Sequence, residues 1–265
     1  MPHLTLPDGE SLYFEEHGSG PPFLLVSGLG GVMGFWADHV PALSERFRVI
    51  LHDHLGTGKS SRARIDYSVE QMAGDALALM DHLGIQRAHY CGHSTGGAMG
   101  QVLAIEHQDR IDRLILSATW PGLDPYCDAL FANRAAVLSA MGIEAYARLS
   151  ALFMKPPAWY RDHPGGAEAD AMALLANDPD PEITLSRISA IRRFDRRGDL
   201  RRISAPTLVF GAADDLITPA YNFHALASAI PDARLVMLPT GGHFYPNMSP
   251  EVFRQTVLGF LAEGI

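Results

Sequence analysis

Gly92-His93-Ser94-Thr95-Gly96 constrains this chain more than any other stretch, because it describes a corner rather than an element. Ahead of it, Arg87-Ala88-His89-Tyr90-Cys91 reads as a short strand; behind it, residues 97–105 read as a buried helix. A strand that turns at once into a helix needs a strained residue at the bend, and flanking glycines leave room because they carry no Cβ. The pattern G-x-S-x-G in that setting lifts the serine hydroxyl clear of a sheet. It also sets the hydroxyl near a helix N-terminus, where backbone N–H groups favour negative charge. Ser94 is therefore the candidate nucleophile.

The surrounding pattern fixes the fold class. Apolar runs that read as strands recur at 11–16, 23–27, 48–52, 88–91, 113–117, 207–210 and 234–238. Several, such as Phe23-Leu24-Leu25-Val26 and Leu114-Ile115-Leu116, are continuous, as in strands covered on both faces of a largely parallel sheet. Helical patterns alternate with them at 69–83, 219–230 and 250–261, and the last two begin with proline, which suits a first helical turn. Strand–helix alternation predicts a doubly wound α/β sheet. The alternation stops between Trp120 and Ile203, where alanine, leucine, methionine and arginine dominate and Pro156-Pro157, Pro164-Gly165-Gly166 and Pro179-Asp180-Pro181 interrupt. This reads as several short helices, a cap over 120–203. The cap would be inserted into a core domain made of 1–119 and 204–265, above the carboxyl ends of the strands where such sheets bind ligands.

A serine needs a base, and the base needs an orienting partner. Of the 12 histidines, His243 is selected by position: Gly241-Gly242-His243-Phe244 follows the strand at 234–238, on the same sheet edge as Ser94. The acid comes from Gly211-Ala212-Ala213-Asp214-Asp215-Leu216-Ile217-Thr218-Pro219, after the strand at 207–210. Adjacent carboxylates cannot both face the imidazole; Asp215 is the expected partner and Asp214 the alternative. The chain order Ser, Asp, His is that of this type of corner. A tetrahedral intermediate needs two backbone donors. The N–H of Thr95 supplies one, and Ser27-Gly28-Leu29-Gly30-Gly31 offers the N–H of Leu29 as the second. Trp120, where a strand ends and the cap begins, and His93 are the candidate substrate contacts.

Other motifs fail on spacing. Gly58-Lys59-Ser60 resembles the tail of a phosphate loop, but the glycine required earlier is Asp53. Gly28-x-Gly30 begins a dinucleotide fingerprint whose third glycine is replaced by Met33. His52-Asp53-His54 suggests a metal, yet strand alternation sends His52 and Asp53 to opposite faces, so no metal site is expected. The basic run Arg192-Arg193-Phe194-Asp195-Arg196-Arg197 reads as a solvated face, with a substrate carboxylate as the alternative ligand.

Bulk properties bound the partners. A net charge of −9 argues against nucleic acid and anionic membranes. The start of the chain has no basic, then apolar, leader, no apolar run reaches the roughly 20 residues of a membrane span, and only two cysteines occur, Cys91 and Cys127. A cytoplasmic placement and a small-molecule substrate are expected, and a homodimer stays open.

On these residues the chain resembles the α/β-hydrolase superfamily over nearly its whole length. The matching pieces are Ser27–Gly31, Asp53-His54-Leu55-Gly56-Thr57-Gly58-Lys59-Ser60, the Ser94 corner, Asp214–Pro219, and Gly242-His243 with Pro250-Glu251. Within it the chain is most similar to aminoacrylate hydrolases of pyrimidine breakdown, through Ala151-Leu152-Phe153-Met154-Lys155-Pro156-Pro157-Ala158-Trp159 and Ile188-Ser189-Ala190-Ile191, with 3-oxoadipate enol-lactonases and C–C bond hydrolases as neighbours. The resemblance implies a helical cap after the sixth strand, no cofactor, and hydrolysis of a C–N, ester or enol-lactone bond in a small catabolic intermediate. Two departures stand out: Ser27 replaces the histidine that often opens the oxyanion turn, and Leu55 stands where arginine is frequent. The same three side chains could also serve only as a base, in a C–C hydrolase or a cofactor-free oxygenase, or be retained in a small-ligand receptor.

Overall fold

A computed structural model describes residues 2–263. Eight strands form one sheet: β1 (His3–Thr5), β2 (Ser11–His17), β3 (Pro22–Val26), β4 (Arg48–His52), β5 (Ala88–His93), β6 (Ile111–Ser117), β7 (Thr207–Ala212) and β8 (Ala233–Leu238). Their spatial order is β1-β2-β4-β3-β5-β6-β7-β8. The first two are antiparallel to their neighbours and all later pairings are parallel. β5 and β7 are buried at every position, and the continuous apolar runs at 23–26 and 114–116 lie in β3 and β6 on either side of β5. β1 was not legible as a strand: it has three residues, only Leu4 turns inward, and it lies at the sheet edge. Counting it makes Ile111–Ser117 the sixth strand.

Among the described residues ten α-helices accompany the strands: α1 (Val40–Leu43), α2 (Val69–His82), α3 (Thr95–Glu106), α4 (Pro125–Ala151), α5 (Pro157–Asp162), α6 (Gly166–Leu175), α7 (Pro181–Arg193), α8 (Ala220–Ala229), α9 (Tyr245–Met248) and α10 (Pro250–Ala262). α2 starts where the hydroxyl of Ser68 accepts the N–H of Gln71 at 3.0 Å, which satisfies one otherwise orphaned donor. α3 is buried on all sides apart from Glu106, so it reads apolar throughout rather than striped.

Between β6 and β7 the chain forms α4 to α7 and contributes no strand to the sheet among the described residues. Aspartates cap the two longest of these helices: Asp124 accepts the N–H groups of Tyr126 and Cys127, and Asp180 those of Glu182 and Ile183. α4 is bent at Gly142, whose φ of +82° favours glycine. The two ends of the insertion meet. Gly122 and Asp195 form an isolated antiparallel bridge, and the N–H of Arg196 donates to the carbonyl of Pro121 at 2.8 Å. No described helix is long and apolar enough to cross a membrane.

Candidate active site

β5 ends at His93 and α3 begins at Thr95, so Ser94 alone makes the turn. Its φ of 55° and ψ of −117° lie outside the regions that an L-residue adopts freely. The glycine before it is obligatory for packing. A Cβ on Gly92 would lie 2.1 Å from the carbonyl oxygen of Gly96.

The loop after β7 carries Asp215 and the loop after β8 carries His243. His243 Nδ1 lies 2.8 Å from Asp215 Oδ2. Asp215 also accepts the N–H of Ile217 at 2.8 Å, the N–H of Thr218 at 2.9 Å, and the hydroxyl of Thr218 at 2.7 Å. Every polar neighbour of this carboxylate is thus a donor, and the ring proton of His243 belongs on Nδ1, which leaves Nε2 as an acceptor. Asp214 turns the other way. Its carboxylate accepts the hydroxyl of Thr240 at 2.5 Å and the N–H of Gly242 at 2.8 Å, so it fastens the loop that carries His243.

Ser94 and His243 line one cavity of about 420 Å³, roofed by residues of α4, α6 and α7. Among the described residues the hydroxyl of Ser94 has no hydrogen-bond partner, and the catalytic hydrogen bonds of an unliganded site commonly tighten only around substrate. Leu29 lines the cavity, and its N–H donates to no backbone acceptor among the described residues. Thr95 is fully buried and is the first residue of α3, so its N–H has no acceptor within the helix.

His93 was expected to contact substrate. It does border the cavity, but its ring is 1% exposed. The ring stacks on Phe35 at 4.5 Å and sits 4.8 Å from the ring of His243. The hydroxyl of Tyr245 donates to the carbonyl of Phe210 at 3.0 Å, so Ser117 Oγ donates to Tyr245 at 2.7 Å and accepts from His93 Nδ1 at 3.0 Å. Burial, then the neighbouring His243, pushes the His93 ring well below its ordinary pKa, so it stays neutral. It is a wall behind His243.

One expectation is corrected, and the solvated-face reading of the basic run agrees with the structure. Trp120 is fully buried, packs against Phe131 and Phe194 at ring distances of 6.3 Å, and does not line the cavity. The side-chain amide of Gln101 donates to its carbonyl at 3.0 Å and holds this backbone at the root of the insertion, where the indole belongs to the core. The basic run is spent on surface ion pairs: Arg192 with Asp128, Arg193 with Asp66, Arg196 with Glu70 and Glu106, and Arg197 with Asp195. None of these arginines borders the cavity.

Three arginines that sequence reasoning missed do border it, Arg62, Arg134 and Arg187, and the last two are buried. Arg187, from α7, is buried; its Nε donates to the carbonyl of Leu29 at 3.1 Å, its Nη1 to that of Leu55 at 3.3 Å, and its Nη2 to His54 Nδ1 at 2.7 Å. Burial pushes it down to about 10. The same burial, reinforced by the Arg187 charge, holds His54 well below its ordinary value and lowers His52 to about 4. Arg134, from α4, donates to Ser150 Oγ at 3.3 Å and to the hydroxyl of Tyr146 at 3.0 Å, across the bend of that helix. Both were discoverable as charged residues at core-facing positions of otherwise apolar helix stripes. Among the described residues no group of three His, Cys, Asp or Glu side chains could hold a metal ion.

Known proteins share this architecture. Residues 21–245 match the alpha/beta hydrolase fold family. A relative from Caulobacter sp. (strain K31), named "Putative carbamate hydrolase RutD", is 40% identical over 96% of both chains. One of the same name from Azorhizobium caulinodans is 38% identical over 99% of both. Among solved structures, a hydrolase from Pseudomonas aeruginosa PA01 superposes with a TM-score of 0.90 at 34% identity, covering 98% of each chain. The enol-lactonase from Burkholderia xenovorans LB400 gives 0.89 at 31% identity, covering 99% of this chain and 100% of that one. The chain belongs to the alpha/beta hydrolase fold family and is a hydrolase.

Proposed function

We propose that this chain is a serine hydrolase acting on a small carbamate, ester or enol-lactone, with Ser94 as nucleophile, His243 as general base and acid, and Asp215 as the group that orients the imidazole. The observation that carries the reading is the convergence on one cavity of a serine in a strained corner and a histidine whose Nδ1 is fastened 2.8 Å from a buried aspartate. The carbamate and enol-lactone alternatives come from the names of its relatives. The segment 120–203 serves as the cap that selects the substrate.

In the first half-reaction Ser94 Oγ bonds to the carbonyl carbon while His243 Nε2 takes the hydroxyl proton. The negative oxygen is met by the N–H groups of Leu29 and Thr95. The bond to the leaving group breaks, and His243 returns the proton to the departing nitrogen or oxygen. In the second half a water oxygen bonds to the acyl carbon, its proton passes to His243 Nε2, and the bond to Ser94 Oγ breaks as that proton returns to the serine. No outside oxidant or reductant is needed.

Labelling with a fluorophosphonate, followed by peptide mass spectrometry, tests the assignment. The expected adduct sits on Ser94 and is absent in Ser94→Ala, which also loses turnover of ester probes while keeping its fold. Wild-type rates in that variant overturn the assignment. Turnover with no acyl-enzyme under rapid quench supports instead the use of the same residues as a base alone.

A further inference from the structure

A row of polar side chains crosses the sheet beside the reactive corner. β3 pairs with β5 at Val26–Gly92, and β5 pairs with β6 at His93–Ser117. Ser27, one residue beyond Val26, therefore stands level with His93, and the two leave neighbouring parallel strands on the same side. The chain at Gly28 lies against the corner itself. A Cβ there would sit 3.5 Å from both the carbonyl oxygen of His93 and Ser94 Oγ. Ser27 and His93 both border the cavity that holds Ser94 and His243.

The row leaves two polar atoms unused. The carbonyl of Phe210 accepts the hydroxyl of Tyr245, Tyr245 accepts the hydroxyl of Ser117, and Ser117 accepts the Nδ1–H of His93. This relay runs one way, so it fixes the ring proton of His93 on Nδ1 and leaves Nε2 as a lone-pair acceptor. Among the described residues that nitrogen meets no partner, and neither does Ser27 Oγ, although the two residues are only 1% and 3% exposed. Buried polar atoms are rarely left unpaired, and a donor beside an acceptor on a cavity wall is a seat for water. Neighbouring strands lie about 4.8 Å apart, a gap that one water spans with two ordinary hydrogen bonds. The ring of His93 is also 4.8 Å from that of His243, which sets this seat beside the base.

Resting on the hydrolase reading above, we infer that Ser27 and His93 are positioning residues for the water of the second half-reaction. Each hydrogen and each lone pair of that water then has a use. One O–H faces His243 Nε2, which takes the proton. The other O–H donates to His93 Nε2 and keeps its hydrogen. One lone pair accepts the hydroxyl of Ser27. The remaining pair forms the bond to the acyl carbon, and the bond from that carbon to Ser94 Oγ breaks as His243 returns its proton to the serine. The retained hydrogen leaves on the acid product. Acylation uses no water, so the two residues bear on one half-reaction only.

That asymmetry supplies the test. With p-nitrophenyl acetate, acylation is timed by the burst of nitrophenol and deacylation by the decay of the acyl-enzyme under rapid quench. Ser27→Ala is expected to slow deacylation about tenfold, the scale of one neutral hydrogen bond, and acylation by less than about twofold. Ser27→Thr keeps a hydroxyl and restores most of the loss. Methanol isolates His93, because it attacks the same acyl-enzyme through the same base but carries a methyl group where water has its second hydrogen. His93→Phe keeps an aromatic ring against Phe35. In that variant the ratio of methyl acetate to acetate, at fixed methanol, is expected to rise about tenfold. Equal slowing of both steps in Ser27→Ala overturns the inference, as does an unchanged product ratio in His93→Phe. Should His93→Phe fail to fold, the two Ser27 variants decide alone. A wild-type protein that forms no acyl-enzyme on Ser94 is the separate result that overturns the Ser94 mechanism, and this inference with it.

Discussion

Asp214 and Asp215 are adjacent in the chain yet hold two different parts of the same loop: Asp215 grips the ring of His243, and Asp214 grips the backbone of Gly242 that leads into it. One carboxylate sets the imidazole's tautomer and the other sets where the imidazole stands.

This division predicts unequal effects of two isosteric changes. Asp215→Asn presents an amide where the ring needs an acceptor, and the turnover number for an ester probe is expected to fall about 10³- to 10⁴-fold. Asp214→Asn keeps one acceptor for Gly242 and is expected to cost no more than about tenfold, through looser placement of the ring. Steady-state kinetics of the two variants side by side check this; equal losses would contradict the division.

The corner itself predicts a folding defect. Gly92→Ala drives a methyl group to within 2.1 Å of the carbonyl oxygen of Gly96, a backbone atom with no rotamer to yield. A loss of about 3 kcal/mol or more is expected from such overpacking, read as a lowered denaturation midpoint in urea.

Acid lability is expected from two histidines that do not line the cavity. His39 is fully buried, neither ring nitrogen has a partner, and burial, with Arg254 adding to it, lowers it from 6.5 to about 4. His52 is lowered to about 4 by burial and then by Arg187. The unfolded chain binds these protons first, so the stability they confer is complete above pH 6.5 and is lost as pH falls through that window toward 4. His39→Phe keeps an aromatic ring against Trp36 and Phe253 and removes one titration. Its melting temperature should fall less steeply between pH 6.5 and 4.5, by up to about 1.4 kcal/mol per pH unit in stability.

Asp75 works in the opposite sense. Burial, only partly offset by a hydrogen bond from Gln71, raises it from 3.8 to about 7. The folded chain here holds its proton longer than the unfolded one, so stability falls as pH rises from 3.8 to 7. Asp75→Asn is expected to be more stable than wild type at pH 8 by about 1–3 kcal/mol, allowing for partial solvent screening, with the difference vanishing below pH 4. Paired thermal melts at pH 4, 6 and 8 read the sign directly.

Much of this arrangement was legible in the sequence because it follows from strong local signals. The unbroken apolar runs of β3 and β6 point to strands covered on both faces, and a glycine-flanked serine between β5 and α3 points to a bend. β1 escaped notice because three residues at an edge bury a single side chain, too few for a period to show. The cap resisted for a different reason. Which arginines face inward depends on helix packing, so the conspicuous cluster at 192–197 drew attention while Arg134 and Arg187, isolated in apolar stripes, carried the charge of the cavity. Trp120 was misplaced on the same account, since strand ends reveal position along the chain but not the side on which a ring settles.

The bridge between Gly122 and Asp195 has a consequence for how such a molecule can change. Because the insertion leaves and rejoins through one stapled neck, β6 and β7 stay paired from Leu114–Thr207 to Ser117–Phe210 whatever lies beyond it. Exchanging the insertion beyond this neck is therefore expected to leave the register of the floor, and with it the Ser94 corner, in place.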